Sequence, residues 1–105
     1  MPGIDINYFI RQANKLTEKI EERKKLLADD TIEGKAGEGL VTVVANGVQE
    51  IKSIKIDKKA LDPNDPQMLE DLLTAAVNMA LTNSREHMQK ELGKVSGGIK
   101  IPGVT

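Results

Sequence analysis

The residues of this chain that could do chemistry are few. There is no cysteine and one histidine, His87, with Glu86 beside it and Glu91 four residues on. Two side chains at that spacing share a helix face and could touch one cation, but two ligands make a weak site. The carboxylate pairs Glu21-Glu22 and Glu70-Asp71 are adjacent in sequence and point to different sides of a helix. Gly34-Lys35-Ala36-Gly37-Glu38-Gly39 lacks the Gly-Lys-Ser/Thr ending of a phosphate loop and precedes a strand rather than a helix; it reads as a hairpin turn. No nucleophile, base and orienting group converge. The expectation is a protein without catalysis, cofactor, metal or small-molecule substrate.

One cationic pattern remains. Arg11, Lys15, Lys19 and Arg23 recur every four residues and form a slowly winding basic stripe on a helix. Arg85, Lys90 and Lys94 lie towards the far end of the chain. Such groups bond phosphates, and they concentrate positive charge locally although the net charge is −1. An ordinary solvated helix face, neutralised by pairs such as Lys15–Glu18, is the competing reading.

The elements that carry these residues follow from periodicity. From about Asp5 to Ala28, apolar side chains fall at Ile6, Phe9, Ala13, Leu16, Ile20 and Leu27, with Arg23 in the one polar slot. Steps of three and four residues predict an amphipathic helix, capped by Asp5. The segment from about 31 to 57 is β-branched and punctuated by glycine. It predicts three antiparallel strands at about 31–36, 40–45 and 48–57, with Asn46-Gly47 as a two-residue type I′ turn between the last two. Asp65 as cap and Pro66 at the first helical position open a second helix over about 66–94. Residues 95–105 read as a tail. The fold class is α+β in the order α-β-β-β-α, one domain over residues 1–105.

Leu, Ile, Val and Phe supply 28 of the 105 residues, enough for an aliphatic core. No run approaches the ~18 apolar residues of a membrane span, and no signal peptide is apparent at the N-terminus. A reducing, cytoplasmic setting is expected.

Lengths add a shape. At about 1.5 Å per residue the helices reach roughly 36 and 43 Å, whereas the longest strands span only about 20–30 Å. The N-terminal half of the first helix and the C-terminal half of the second should overhang the sheet and pack antiparallel as a projecting arm. The strand Leu40 to Ala45 is apolar on both faces except at Thr42. A sheet covered on one side should alternate, so a second copy is expected on the other. Leu40, Val41, Val43, Val44 and Ile54 are the candidate dimer contacts.

Three stretches in order give the chain a likeness. They are Arg11-Gln12-Ala13-Asn14-Lys15-Leu16; then Gly37-Glu38-Gly39-Leu40-Val41-Thr42-Val43 with Asn46-Gly47 and Ile54-Lys55-Ile56-Asp57; then Met68-Leu69-Glu70-Asp71-Leu72-Leu73 with Ala75-Ala76-Val77-Asn78. With Val95-Ser96-Gly97-Gly98 and Pro102-Gly103 they cover most of the sequence, which resembles the YbaB/EbfC family of bacterial nucleoid-associated proteins. That resemblance implies an α-β-β-β-α homodimer with arms projecting like tweezers, DNA binding, nucleoid association and no known enzymatic activity. It shifts the reading of the basic side chains towards duplex DNA; charge and their place on the free helix ends make Arg11, Lys15 and Lys19 on the first helix and Arg85, Lys90 and Lys94 on the second the candidate contacts. Near-absence of aromatics favours duplex over single strands. The alternative is an adaptor or chaperone-like clamp that grips a protein partner without DNA.

Overall fold

The computed structural model describes residues 5–95; the expected tail from 96 onward lies outside them. Helix α1 runs Ile6–Leu27, followed by β1 Ile32–Ala36, β2 Val41–Ala45, β3 Ile51–Ile56, a short 3-10 turn Lys58–Ala60, and α2 Pro66–Val95. The sheet is antiparallel with β2 in the centre. This is the α-β-β-β-α order expected from periodicity.

Both helix starts are capped as their sequences dictate. The Asp5 carboxylate accepts from the Tyr8 backbone N–H at 3.2 Å, and that of Asp65 accepts from Met68 N–H at 3.2 Å. Each satisfies one of the orphan donors of a first helical turn.

The core lies between α2 and the first two strands. Val41, Val43 and Ala45 of β2 are buried against Ala76 and Ala80 of α2, with Leu69, Leu72, Leu73 and Val77 around them. The helix presents Ala76, Ala80 and Ser84, all fully buried, at a spacing of four. Small side chains let the helix backbone come close to the sheet, and Gly34 of β1 completes the approach. A Cβ built there would stand 2.3 Å from the Ala80 nitrogen and 2.5 Å from the Ala76 carbonyl oxygen.

Two expectations are corrected here. Val41 and Val43 are not available to a partner, because the chain's own α2 covers that face of β2 and leaves them fully buried. A strand apolar on both faces shows that it is covered, not which of its faces the chain's own helix takes. Nor do Asn46 and Gly47 form a two-residue I′ turn. The Asn46 N–H donates to the Glu50 carbonyl at 2.9 Å, so Gly47, Val48 and Gln49 make a three-residue loop, with Gln49 in the left-handed region at φ 66°. The Asn46 side chain is buried and its carbonyl oxygen accepts from Val48 and Glu50 N–H. Gly47 is needed for space: its N–H donates to the Leu27 carbonyl at 2.9 Å, and a Cβ would fall 2.6 Å from that oxygen. Ser84 clamps the same loop, donating to the Asn46 carbonyl at 2.7 Å and accepting from Gln49 N–H at 2.9 Å.

The edge strand β3 is exposed along its whole length. Its register places Ile51, Ile54 and Ile56 opposite Ala45, Val43 and Val41, on the face that α2 covers only over β1 and β2. Three isoleucines therefore stand in solvent beside the core.

Candidate nucleic-acid interface

Beyond the sheet, α1 and the last third of α2 run antiparallel. Asp30, just past α1, meets His87 Nε2 at 2.8 Å, and Arg23 pairs with Glu91 further out. Val95 shares a groove with Lys19, Glu22, Arg23 and Leu26. The described part of the molecule measures 76 × 22 × 16 Å, long and thin because of this pair. The N-terminal half of α1 continues past Val95.

The basic stripe divides along its length. At about 100° per residue, positions four apart advance by about 40°, so Arg11, Lys15 and Lys19 occupy one side of α1 within about 80°. All three are exposed. One further step carries Arg23 round into the seam with α2, where it meets Glu91. Among the described residues, Arg11, Lys15 and Lys19 make no ion pair, and the expected Lys15–Glu18 neutralisation is not formed; the intrahelical pair seen on α1 is Lys24–Glu21 at 3.9 Å.

The second helix is less favourable. Arg85 and Lys90 are exposed, but five residues separate them, about 140° around the helix, so they do not share a face. Lys94 is exposed yet engaged with Glu91 at 3.1 Å. No described group of three His, Cys, Asp or Glu residues could hold a metal ion; His87 turns to Asp30 and not to Glu91.

Sequence reading placed Glu91 only beside His87 as a weak cation pair and missed its role as the partner of Arg23. Its partner Arg23 lies 68 positions away, a separation that periodicity does not bridge. The Arg23 guanidinium first, then the Lys94 ammonium, stabilise the charged carboxylate and hold its pKa at about 2, against an ordinary 4.5. A depressed pKa means that the stabilisation is complete above the unfolded value and fades as pH falls towards the folded one. Between pH 4.5 and about 2 the chain should therefore lose stability through this group. Thermal unfolding of Glu91→Gln followed across that interval should show a shallower loss than the unsubstituted chain; an identical slope would show that the pair adds nothing.

Comparisons agree with this architecture. The model of the YbaB/EbfC DNA-binding family matches residues 1–99. A nucleoid-associated protein of Myxococcus xanthus is 74% identical over 105 residues, covering all of both chains. One from Anaeromyxobacter dehalogenans is 46% identical over 101 residues, 96% of this chain and 98% of the relative. One from Caldanaerobacter subterraneus is 43% identical over 102 residues, 97% and 92% of the two chains. Among solved structures, an uncharacterized protein from Helicobacter pylori shares the fold with a TM-score of 0.79 at 20% identity, covering 90% of this chain and all of that one. A match over this much of the sequence, with the same element order, places the chain: it belongs to the YbaB/EbfC DNA-binding family.

Proposed function

We propose that the chain is a nucleoid-associated protein that binds duplex DNA with low sequence preference, as a homodimer whose helical arms contact phosphates. The observation that carries the reading is the exposed stripe of Arg11, Lys15 and Lys19 on the projecting half of α1, unpaired among the described residues. Unpaired cations on one helix face release counterions when they meet phosphate. Phosphate contacts position a protein on DNA without reading bases, hence the low preference. Arg85 and Lys90 serve as separate, flanking contacts, and Lys94 contributes only by sharing itself with Glu91.

The homodimer rests on the exposed apolar edge. Ile54, with Ile51 and Ile56 beside it on β3, offers aliphatic surface next to the core; Leu40 and Val44, both half-buried, remain candidate contacts. A second copy covering this edge removes apolar area from water and doubles the number of cations that reach phosphate. Association with the nucleoid, in the cytoplasm, follows from DNA as the partner.

The test is a titration of duplex DNA at several salt concentrations. The logarithm of affinity should fall linearly with that of salt. Arg11→Ala with Arg85→Ala should flatten the slope by about 1 for each phosphate that is no longer neutralised, weakening different sequences alike. Equal affinity and slope in the double variant would remove the arm surface from the interface. Binding of a protein partner that is insensitive to salt, with no DNA binding even at low ionic strength, would favour an apolar clamp instead.

A further inference from the structure

Helix α2 presents one stripe to two different neighbours. Ala76, Ala80, Ser84 and Glu91 are buried on it, and His87 joins them; at about 100° per residue the five fall within about 80° of one another. Ala76 and Ala80 meet Gly34 of β1, and Ser84 meets the loop at 46–49. His87 and Glu91 meet Asp30 and Arg23 at the root of α1. The sheet and α1 therefore lie on the same side of α2, in one layer, and the surfaces they turn away from α2 face the same way.

That common surface is cationic at two places. Val41, Val43 and Ala45 point towards α2, so alternation puts Thr42 on the opposite face. Its register partners there are Lys35 of β1 and Lys55 of β3. Both lysines are exposed and, two strands apart, stand about 10 Å from each other. Lys55 makes no ion pair among the described residues, and Lys35 is 3.8 Å from Glu33, an exposed pair of little strength. On α1, Leu27, Arg23 and Ile20 mark the side turned to α2. Arg11 and Lys15 lie about 150° and 110° round from the middle of that side, with Lys19 at its flank. Between these two places the outward side of α1 carries Glu18, Glu21, Glu22 and Lys25, with no positive surplus.

The rise of α2 measures the separation. Gly34 is level with Ala76 and Ala80, and Gly37 with Leu72, so the row of Lys35 is level with about residue 76. Val95 is level with Lys19, and Lys15 lies about one helical turn beyond. The distance is about 34 Å at about 1.5 Å per residue, the length of one turn of duplex DNA, about 34–36 Å.

We infer that the sheet face of Lys35, Thr42 and Lys55 is a second phosphate-binding surface, and that one duplex lies lengthwise along the molecule, meeting the arm and the sheet one turn apart. The inference rests on the reading of the arm as a duplex-binding surface. A double helix turns the same backbones towards one side once per turn, so two cationic places at that spacing take phosphates from a straight duplex. The Thr42 hydroxyl adds a donor between the two ammonium groups. The second copy proposed for the isoleucines of β3 approaches the other face of the sheet and leaves these lysines in water. An apolar partner is the wrong occupant, because the neighbouring row of Glu33, Val44 and Ser53 offers it one side chain.

Methylphosphonate linkages remove phosphate charge, so a duplex can carry two charged patches and be neutral elsewhere. The wild type should bind patches centred about 10 base pairs apart at least about fivefold more tightly than patches about 5 or 15 apart, which are half a turn out of phase. Lys35→Gln combined with Lys55→Gln should abolish that preference. It should also flatten the salt slope on an unmodified duplex by about 1 for each lysine in contact, with the melting temperature unchanged because both side chains are exposed. Salt-sensitive binding by the wild type without a spacing preference, or a double variant that keeps the preference, overturns this assignment and leaves the arm in place. Absence of salt-sensitive binding to the unmodified duplex overturns the arm reading as well.

Discussion

Gly34→Ala is expected to lower the thermal midpoint by roughly 10 °C or more. The added methyl would sit 2.3 Å from the Ala80 nitrogen and 2.5 Å from the Ala76 oxygen. Both are backbone atoms in the middle of a long helix, so neither can swing aside as a side chain end would. The alternatives are to lift α2 from the sheet, opening space around Val41, Val43 and Ala45, or to bend β1. Overpacking of this kind costs about 1–3 kcal/mol, sometimes more, and each kcal/mol moves a domain of about this size by roughly 4–8 °C. A control with the same substitution has the opposite sign. Gly93→Ala lies within α2 with nothing inside 4 Å of its new Cβ, and replacing a helical glycine by alanine stabilises by about 0.5–1 kcal/mol. Circular dichroism melts of the two variants check the pair. A Gly34→Ala midpoint within about 2 °C of wild type would show that the helix rides higher over β1 than these distances require.

Val43→Asp should prevent folding at neutral pH, whereas Ile54→Asp should fold and sediment as a monomer. The two positions are opposite one another across β2 and β3, and they differ in what covers them. Val43 is fully enclosed between β2 and α2 in an aliphatic cluster, so an aspartate there is a buried charge among apolar neighbours. Its cost of several kcal/mol is comparable with the total stability of a domain, about 5–15 kcal/mol. Ile54 is 45% exposed, so an aspartate there keeps its hydration in the single chain and would lose it only in the proposed dimer. Far-ultraviolet circular dichroism separates folded from unfolded, and sedimentation at micromolar concentration reads the association. A dimeric Ile54→Asp would move the interface off β3.

That contrast also marks where sequence reading stops. Asp5 and Asp65-Pro66 announce the helix starts because a cap is a local device, complete within four residues. The apolar run from Leu40 to Ala45 announces a covered strand, but a strand pattern is silent on which face α2 covers and which is left for a partner. Asn46-Gly47 misleads for a related reason. Its turn is shaped by a buried amide side chain, and its glycine answers to Leu27, twenty residues earlier in the chain. The stripe Arg11, Lys15, Lys19 and Arg23 is visible as one pattern, yet Arg23 is consumed by Glu91, a partner that only the folded topology supplies. Local hydrogen bonds are legible; contacts between elements distant in sequence are not.

The root of α1 is fastened at few points: Gly47 N–H on the Leu27 carbonyl, Asp30 on His87, and Arg23 on Glu91. From Leu27 the helix extends for 22 residues, about 33 Å. As a rigid lever of that length it converts a tilt of about 5° at its root into about 3 Å at its tip, close to the ~3.4 Å that separates successive base pairs. In the proposed complex with DNA, side chains that never approach the double helix would therefore set which phosphates the far end reaches.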